Sequence, residues 1–354
     1  VSSEVDPPFL FVTCQVGAEQ ALKGEMARLW PGFRLAYSRP GFLTFKLPET
    51  SLFGEDTELG LVFARSWGFS LGKATAADLN ERANQFWQLV GERHYDRLHV
   101  WPRDRHAPTV RGYTPGITAE ANEAAAAILT RRPEGLHPHL TTANQRALRD
   151  ELVLDCVLVR EDEWWVGYHR ARNWLSCWPG GLREIELPAH AVSRAYLKQL
   201  DTLDWSNLPL REGQLCAEIG CAPGGAAQAL LDRGLHVLGI DPAEIHPSVV
   251  EHPHFTWIRK RGAEVRRREF RKVKWLMTDM NVAPSYTLDT VEAIVTHAET
   301  EIRGMLLTLK LLEWQLADEI PAYLERIRSW GFERVRAQQL QHHRQEVVVA
   351  AQAK

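Results

Sequence analysis

Residues 215–241 constrain the fold more than any other stretch of this chain. Leu215-Cys-Ala-Glu-Ile-Gly220 is a short apolar run of the kind that forms a strand buried on both faces. Gly220-Cys-Ala-Pro-Gly-Gly225 follows, a turn with little side-chain bulk. Gly225 to Asp232 is an alanine-rich helix closed by Gly234, and His236-Val-Leu-Gly-Ile-Asp241 is the next strand. Strand, turn, helix and strand in this order make one βαβ unit, whose strands are parallel and whose crossover is right-handed. From about Leu187 the alternation continues, with strands ending at Asp279 and Lys310 and a last strand opening at Glu346. The pattern predicts an α/β domain with a doubly wound, mostly parallel sheet of Rossmann type. Ligands of such sheets gather at the carboxyl ends of the strands.

The N-terminal half reads differently. Phe9-Leu-Phe-Val-Thr13 is β-prone, Glu19 to Leu29 has helical spacing, and two strands flank the turn at Pro40-Gly41. These elements predict a small α+β domain over residues 1–73. A second unit, 74–172, opens with an amphipathic helix from Asp78 to Glu92, with Asp78 as its cap. The strand Arg97 to Trp101, a helix from Ala119 to Arg131 and a hairpin across Glu161-Asp-Glu163 complete it. Pro179-Gly-Gly181 and Pro188 mark a linker, 173–190, ahead of the α/β domain at 191–354. The loop from Arg103 to Gly116, with Arg105, His106 and Arg111, reads as a solvated connector or a phosphate-facing surface. Trp164, Trp165, Trp174 and Trp178 read as core rings before base-stacking ones.

Composition narrows the class. Hydrophobic residues make 45% of the chain and charged ones 25%, as in a soluble globular protein. No segment has the length and apolarity of a membrane span, and the polar, acidic start does not read as a secretory signal. The five cysteines include no CxxC pair, which suits buried thiols in a reduced compartment, the cytoplasm. A net charge of −3 excludes a generic polyanion binder, yet residues 259–274 hold nine Lys or Arg against two Glu. That run reads equally as an RNA-backbone surface or as a solvated helix face.

The chemistry concentrates in the α/β domain. Gly220, Gly224 and Gly225 allow positive φ and close backbone approach, Pro223 stiffens the turn, and helix N-terminal amides favour a negative ligand group. Asp241, at the end of the next strand, is placed to accept from ribose hydroxyls. The turn lacks both GxGxxG and GxxxxGK[ST], which disfavours NAD and ATP. Lys198, Asp279, Lys310 and Glu346 stand at element ends on the same side of the expected sheet. Two amines and two carboxylates there suit one difficult proton removal. A lysine accepts a proton only when neutral, against an ordinary pKa of about 10.4. Partial burial and a neighbouring ammonium are expected to lower the value for Lys198 and Lys310.

Glu218-Ile-Gly-Cys-Ala-Pro-Gly-Gly225, with Lys198, Asp279, Lys310 and Glu346 in that order, resembles the FtsJ-type family of S-adenosylmethionine-dependent RNA ribose 2′-O-methyltransferases. Ser193-Arg-Ala-Tyr-Leu-Lys198, Thr278-Asp-Met280 and Arg344-Gln-Glu-Val347 resemble, more narrowly, its bacterial 23S ribosomal RNA cytidine-methylating group. The resemblance is specific over the C-terminal domain and rests only on element order over the N-terminal half. It implies S-adenosylmethionine bound by Ser193, Gly220, Cys221, Ala222, Pro223, Gly224, Gly225, Asp241 and Asp279. It also implies Lys310 as proton acceptor, Lys198 and Glu346 positioning the ribose, and Asp279 holding lysine and sulfonium. The N-terminal half would be ferredoxin-like and THUMP-type and would grip RNA, with no DNA or membrane partner. Arg261 stands where family members often carry an acid near adenine. His246, His252 and His254 lie in a proline-broken loop and do not read as a metal site, while His342 and His343 either line the ribose site or form a partly exposed pair. The alternative function is a non-catalytic RNA-binding or ribosome-assembly factor on the same fold.

Overall fold

The computed structural model describes residues 8–49, 53–108 and 116–354. The acidic start of the chain and Arg111 of the basic loop lie outside these residues. The chain divides into two units, Val1–Glu184 and Ile185–Lys354.

In the N-terminal unit, β1 (Phe9–Thr13), α1 (Glu19–Leu29), β2 (Arg34–Arg39) and β3 (Phe42–Lys46) follow the expected order. Then come β4 (Ser66–Thr75), α2 (Leu79–Val90), β5 (Arg97–Pro102), α3 (Ala119–Thr130), β6 (Leu152–Arg160) and β7 (Glu163–Arg170). One seven-stranded sheet joins them in the order β2-β3-β1-β4-β7-β6-β5. This differs from the expected division at 73/74, which falls inside β4. That strand pairs with β1 on one side and β7 on the other, so strands from both expected domains share one ladder. The expected linker differs too. Residues up to 184 belong to this unit, with Cys177 and Leu182 buried and the Ala147 N–H donating to the Cys177 carbonyl at 2.8 Å.

Local chemistry explains these elements. Asp78 caps α2, its Oδ1 accepting from the Glu81 N–H at 2.9 Å. Glu25, on the buried face of α1, accepts from the amides of Val62 and Phe63, and burial pushes its carboxyl up to about 7 despite those two bonds. β6 buries eight consecutive residues, from Leu152 to Val159, as a central strand must. Within that apolar run sits Asp155, fully buried, accepting from His169 Nδ1 at 2.5 Å and from Trp101 Nε1 at 3.2 Å. Among the described residues, two arginines of the connector are spent internally. Arg103 donates to the carbonyls of Val159 and Pro40, and Arg105 pairs with Glu120.

The C-terminal unit contains α4 (Ala195–Ser206), β8 (Leu215–Ile219), α5 (Gly225–Leu231), β9 (His236–Ile240), α6 (Pro247–Val250) and β10 (Phe255–Ile258). It continues with β11 (Trp275–Thr278), α7 (Pro284–Val295), β12 (Gly304–Lys310), α8 (Ile320–Ser329), β13 (Phe332–Gln338) and β14 (Glu346–Ala353). The sheet order is β10-β9-β8-β11-β12-β14-β13. β10 through β12 are parallel, and β14 inserts antiparallel between β12 and β13. The strand order reverses between β8 and β11, and the crevice at such a switch point is where an open α/β sheet binds ligands. Among the described residues no helix is long and apolar enough to cross a membrane. All five cysteines are buried and unpaired.

Candidate active site

Two features meet at the carboxyl edge of β8, β11 and β12. The first is a ring of four charges. Lys198 reaches in from the first turns of α4, Asp279 directly follows β11, Lys310 ends β12, and Glu346 opens β14 as the register partner of Lys310. Lys198 Nζ lies 2.9 Å from Asp279 Oδ2 and 2.8 Å from Glu346 Oε1. Lys310 Nζ lies 2.8 Å from Asp279 Oδ1 and also pairs with Glu346 Oε2. Each lysine therefore touches both carboxylates, and each carboxylate bridges both lysines. The antiparallel insertion of β14 makes this possible, because it brings the start of one strand to the end of its neighbour.

The electrostatics of the ring run against the sequence expectation. Burial works against charge on Lys310, but Asp279 and Glu346 outweigh it and raise the ammonium above its ordinary range. Burial likewise works against charge on Glu346, and Lys198, His343 and Lys310 overcome it, holding the carboxyl down at about 2. The expected lowering of the Lys310 pKa by a second ammonium is thus corrected. The charges alternate around the ring, so the nearest neighbours of each amine are carboxylates and not the other amine.

The second feature is a cavity of about 590 Å³. Gly220, Ala222, Asp241, Arg261, Asp279 and Tyr286 are among the residues lining it, with Ile219, Ile240 and Pro242 supplying apolar wall. Asp241 is oriented by the backbone, its Oδ2 accepting from the Ala222 N–H at 3.0 Å and its Oδ1 from the Ala243 N–H at 2.8 Å. The indole of Trp257 donates to the Asp241 carbonyl at 3.0 Å and steadies the same turn. Asp279 lines the cavity and closes the ring, so one carboxylate belongs to both features.

The remaining turn residues shape the cavity without lining it. Cys221 is buried, and the Pro223 carbonyl accepts from the His246 N–H at 3.0 Å. Gly224 packs on Ile245 and Val249. A Cβ on Gly225 would lie 2.2 Å from Ser193 Oγ, so the Ser193 turn and the start of α5 are in direct contact. Gly220 has φ of +86°, and a Cβ there would come within 2.8 Å of the Asp279 carbonyl oxygen. Gly220→Ala should therefore combine left-handed strain of about 1–2 kcal/mol with a push on Asp279. The expected result is at least a tenfold weaker affinity for S-adenosylhomocysteine by calorimetry; unchanged affinity would show that the turn tolerates a side chain.

Two buried groups beside the site had no settled place in the sequence reading. His343 is fully buried, not partly exposed. Its Nδ1 accepts from the Leu340 N–H at 3.1 Å, and burial and the charge of Lys198 depress its pKa to about 3, so it is a neutral ring beside the four charges. Glu218 is buried on β8, where burial, Asp279 and Asp241 push its carboxyl well above the usual range. Its place in Glu218-Ile-Gly220 was the available signal. Met280, from the Thr278–Met280 motif, also lines the cavity, as do Asn281 and Tyr286, which carry no motif.

A largely parallel sheet with its crevice at a topological switch point, and a charged ring beside it, define a Rossmann-like unit. Residues 191–345 match the family model of the FtsJ-like methyltransferases. The chain is 33% identical over 182 residues to the ribosomal RNA large subunit methyltransferase M of Xylella fastidiosa strain 9a5c, an alignment covering 49% of this chain and 51% of that protein. It is 25% identical over 299 residues to the protein of the same name from Methylococcus capsulatus, covering 81% and 79%. The chain spans about half the length of the first of these relatives. Among solved structures, TrmN from Thermus thermophilus aligns with 97% of this chain and 99% of its own, at 14% identity and a TM-score of 0.37.

Proposed function

We propose that this protein transfers a methyl group from S-adenosylmethionine to the 2′-hydroxyl of an RNA ribose, in a cytidine of 23S ribosomal RNA, with Lys310 as proton acceptor. The observation that carries the reading is the double membership of Asp279, which joins the cavity to the ring. The cavity suits a nucleoside. Its walls are apolar, and Asp241 is held by two backbone amides with lone pairs remaining for vicinal hydroxyls. The cofactor contacts fall to Gly220, Ala222, Asp241 and Asp279 at the cavity wall, with Ser193, Cys221, Pro223, Gly224 and Gly225 holding the turn in shape.

S-adenosylmethionine, when bound, supplies a methyl group on a positively charged sulfur. This chain's own residues must orient the ribose and take its proton. Lys198 and Glu346 position the ribose, and Glu346 also pairs with Lys310 Nζ. As the ribose oxygen forms its bond to carbon, its proton passes to that amine and S-adenosylhomocysteine leaves. Asp279, a carboxylate shared between cavity and ring, would hold the sulfonium as well as the lysines. The N-terminal unit, as a THUMP-type module, supplies the grip on folded RNA. The complete ring of four gives no support to a non-catalytic assembly factor, and no observation favours one.

The test is transfer of labelled methyl from S-adenosylmethionine to 23S ribosomal RNA that lacks its native modification, followed by digestion to nucleosides. The expected product is labelled 2′-O-methylcytidine. Label on a base, or no label despite cofactor binding, would overturn the reading.

A further inference from the structure

The basic run at 259–274 does not form a helix. It starts directly after β10 and comprises two 3-10 turns at Gly262–Glu264 and Arg267–Phe270 and the approach to β11. Val265 and Phe270 are buried and pin the segment, and Gly262 is seated so tightly that a Cβ would lie 2.6 Å from Ile219 Cγ2. The cations on this frame are not equivalent. Arg259 pairs with Glu244, Arg271 with Glu299, and Lys274 with Glu301. Arg267 donates to the Val265 carbonyl at 2.9 Å. Lys260 and Arg266, by contrast, have no ion-pair partner among the described residues, and Arg268 engages only its Nε, 3.2 Å from Glu269. These three residues line a separate pocket of about 300 Å³ together with Ile258, Val265 and Glu269, the last being the acid that Arg268 Nε pairs with.

We propose that this pocket, walled by Lys260, Arg266 and Arg268, is a binding site for a backbone phosphodiester of the RNA substrate. The inference rests on the RNA reading above and deepens it. A solvated face would spread its cations outward and pair them with nearby acids, as Arg259, Arg271 and Lys274 do. Here three cations line one concavity against the single acid Glu269, which is already paired with Arg268 Nε, so the lining keeps a net positive charge on a segment anchored by buried side chains. Such an arrangement selects a compact anion with several acceptor oxygens, and its recognition carries no base information. Lys260 also directly precedes the Arg261-Gly262 pair, which lines the large cavity. A strand of RNA held at the small pocket is therefore tethered to the same segment that walls the cofactor site.

The experiment measures affinity of the full chain for unmodified 23S ribosomal RNA across a potassium chloride series. Removing one cation–phosphate interaction should flatten the plot of log affinity against log salt by about 0.7–0.9. The Lys260→Ala/Arg266→Ala double variant is expected to reduce the slope by about 1–2 and to weaken binding about tenfold or more at low salt. Its affinity for S-adenosylhomocysteine should stay within twofold of the parent, which reports an intact fold. Arg271→Ala/Lys274→Ala removes cations already neutralised by Glu299 and Glu301 and should change the slope by less than half as much. An unchanged slope in the first variant, or equal changes in both, would overturn the site. Parent protein that binds S-adenosylhomocysteine but no RNA would remove the RNA reading itself, and the phosphate site with it.

Discussion

Lys310→Ala should abolish methyl transfer to RNA while leaving the affinity for S-adenosylhomocysteine within a few-fold of the parent. Loss of a positioned general base costs about 10²–10⁴ in rate, and the alanine variant is expected at the severe end, because no second amine can reach the same place. Lys198 is held on the far side of the two carboxylates, bonded to the other oxygen of each. The pH dependence supplies an independent check. Asp279 and Glu346 raise the Lys310 pKa, so near neutrality the amine carries its proton and only a small fraction of enzyme is poised to react. The rate constant kcat/KM should then rise about tenfold per pH unit from pH 7 towards alkaline values, following the neutral amine. Glu346→Gln removes one of the two charges that raise this pKa. It should shift the alkaline limb to lower pH even as the maximal rate falls through poorer positioning. A flat profile in the parent, or turnover by Lys310→Ala within tenfold of it, would assign the proton to another group.

Three members of the ring were legible in the sequence because Asp279, Lys310 and Glu346 each close or open an apolar strand, whereas Lys198, expected at an element end, lies inside α4 and was marked only by the Ser193–Lys198 motif. The mutual pairing of the four was not legible. Whether a lysine meets a lysine or a carboxylate depends on the antiparallel insertion of β14 between β12 and β13. β13 itself, Phe332-Glu-Arg-Val-Arg-Ala-Gln338, is an edge strand whose exposed charges hide its period. The same limit explains the N-terminal unit. Glycines at 68 and 72 dilute the strand signal of β4, and its pairing with β7 links residues about ninety positions apart, which no local pattern records. The burial of His343 follows from the turn at Leu340–His343, where a backbone N–H satisfies the ring nitrogen. In the basic run the count of charges was visible, but the carboxylates that neutralise Arg271 and Lys274 come from the loop before β12, beyond helix α7. Sequence therefore locates charge well and reads its neighbours poorly.

Asp155→Ala should destabilise the N-terminal unit by about 3–5 kcal/mol, the cost of removing one partner from a buried pair and leaving the other uncompensated. Asp155 and His169 are both buried, with 2.5 Å between Oδ2 and Nδ1. His169 Nε2 lies 2.8 Å from the Ser176 carbonyl oxygen, so both ring nitrogens face acceptors and the ring is an imidazolium. Burial works against that charge, but the charge of Asp155, its hydrogen bond and the Ser176 bond prevail and raise the His169 pKa. A raised histidine pKa adds stability that is complete below the unfolded value of about 6.5 and is lost as pH rises through the folded value. His99, in the same cluster, has the opposite sign. Burial depresses it to about 4, so its contribution is present above about 6.5 and is lost as pH falls towards the folded value. Together the two histidines place a local stability maximum near neutral pH. Asp155→Asn keeps the shape but removes the charge that raises His169, and should erase the decline on the alkaline side while sparing the one on the acid side. Hydrogen exchange at the β6 and β7 amides of the full chain, measured at pH 6.0, 7.0 and 8.0 and corrected for intrinsic rates, reads this unit directly. An alkaline decline that survives in Asp155→Asn would mean that the His169 proton is not what ties these strands together.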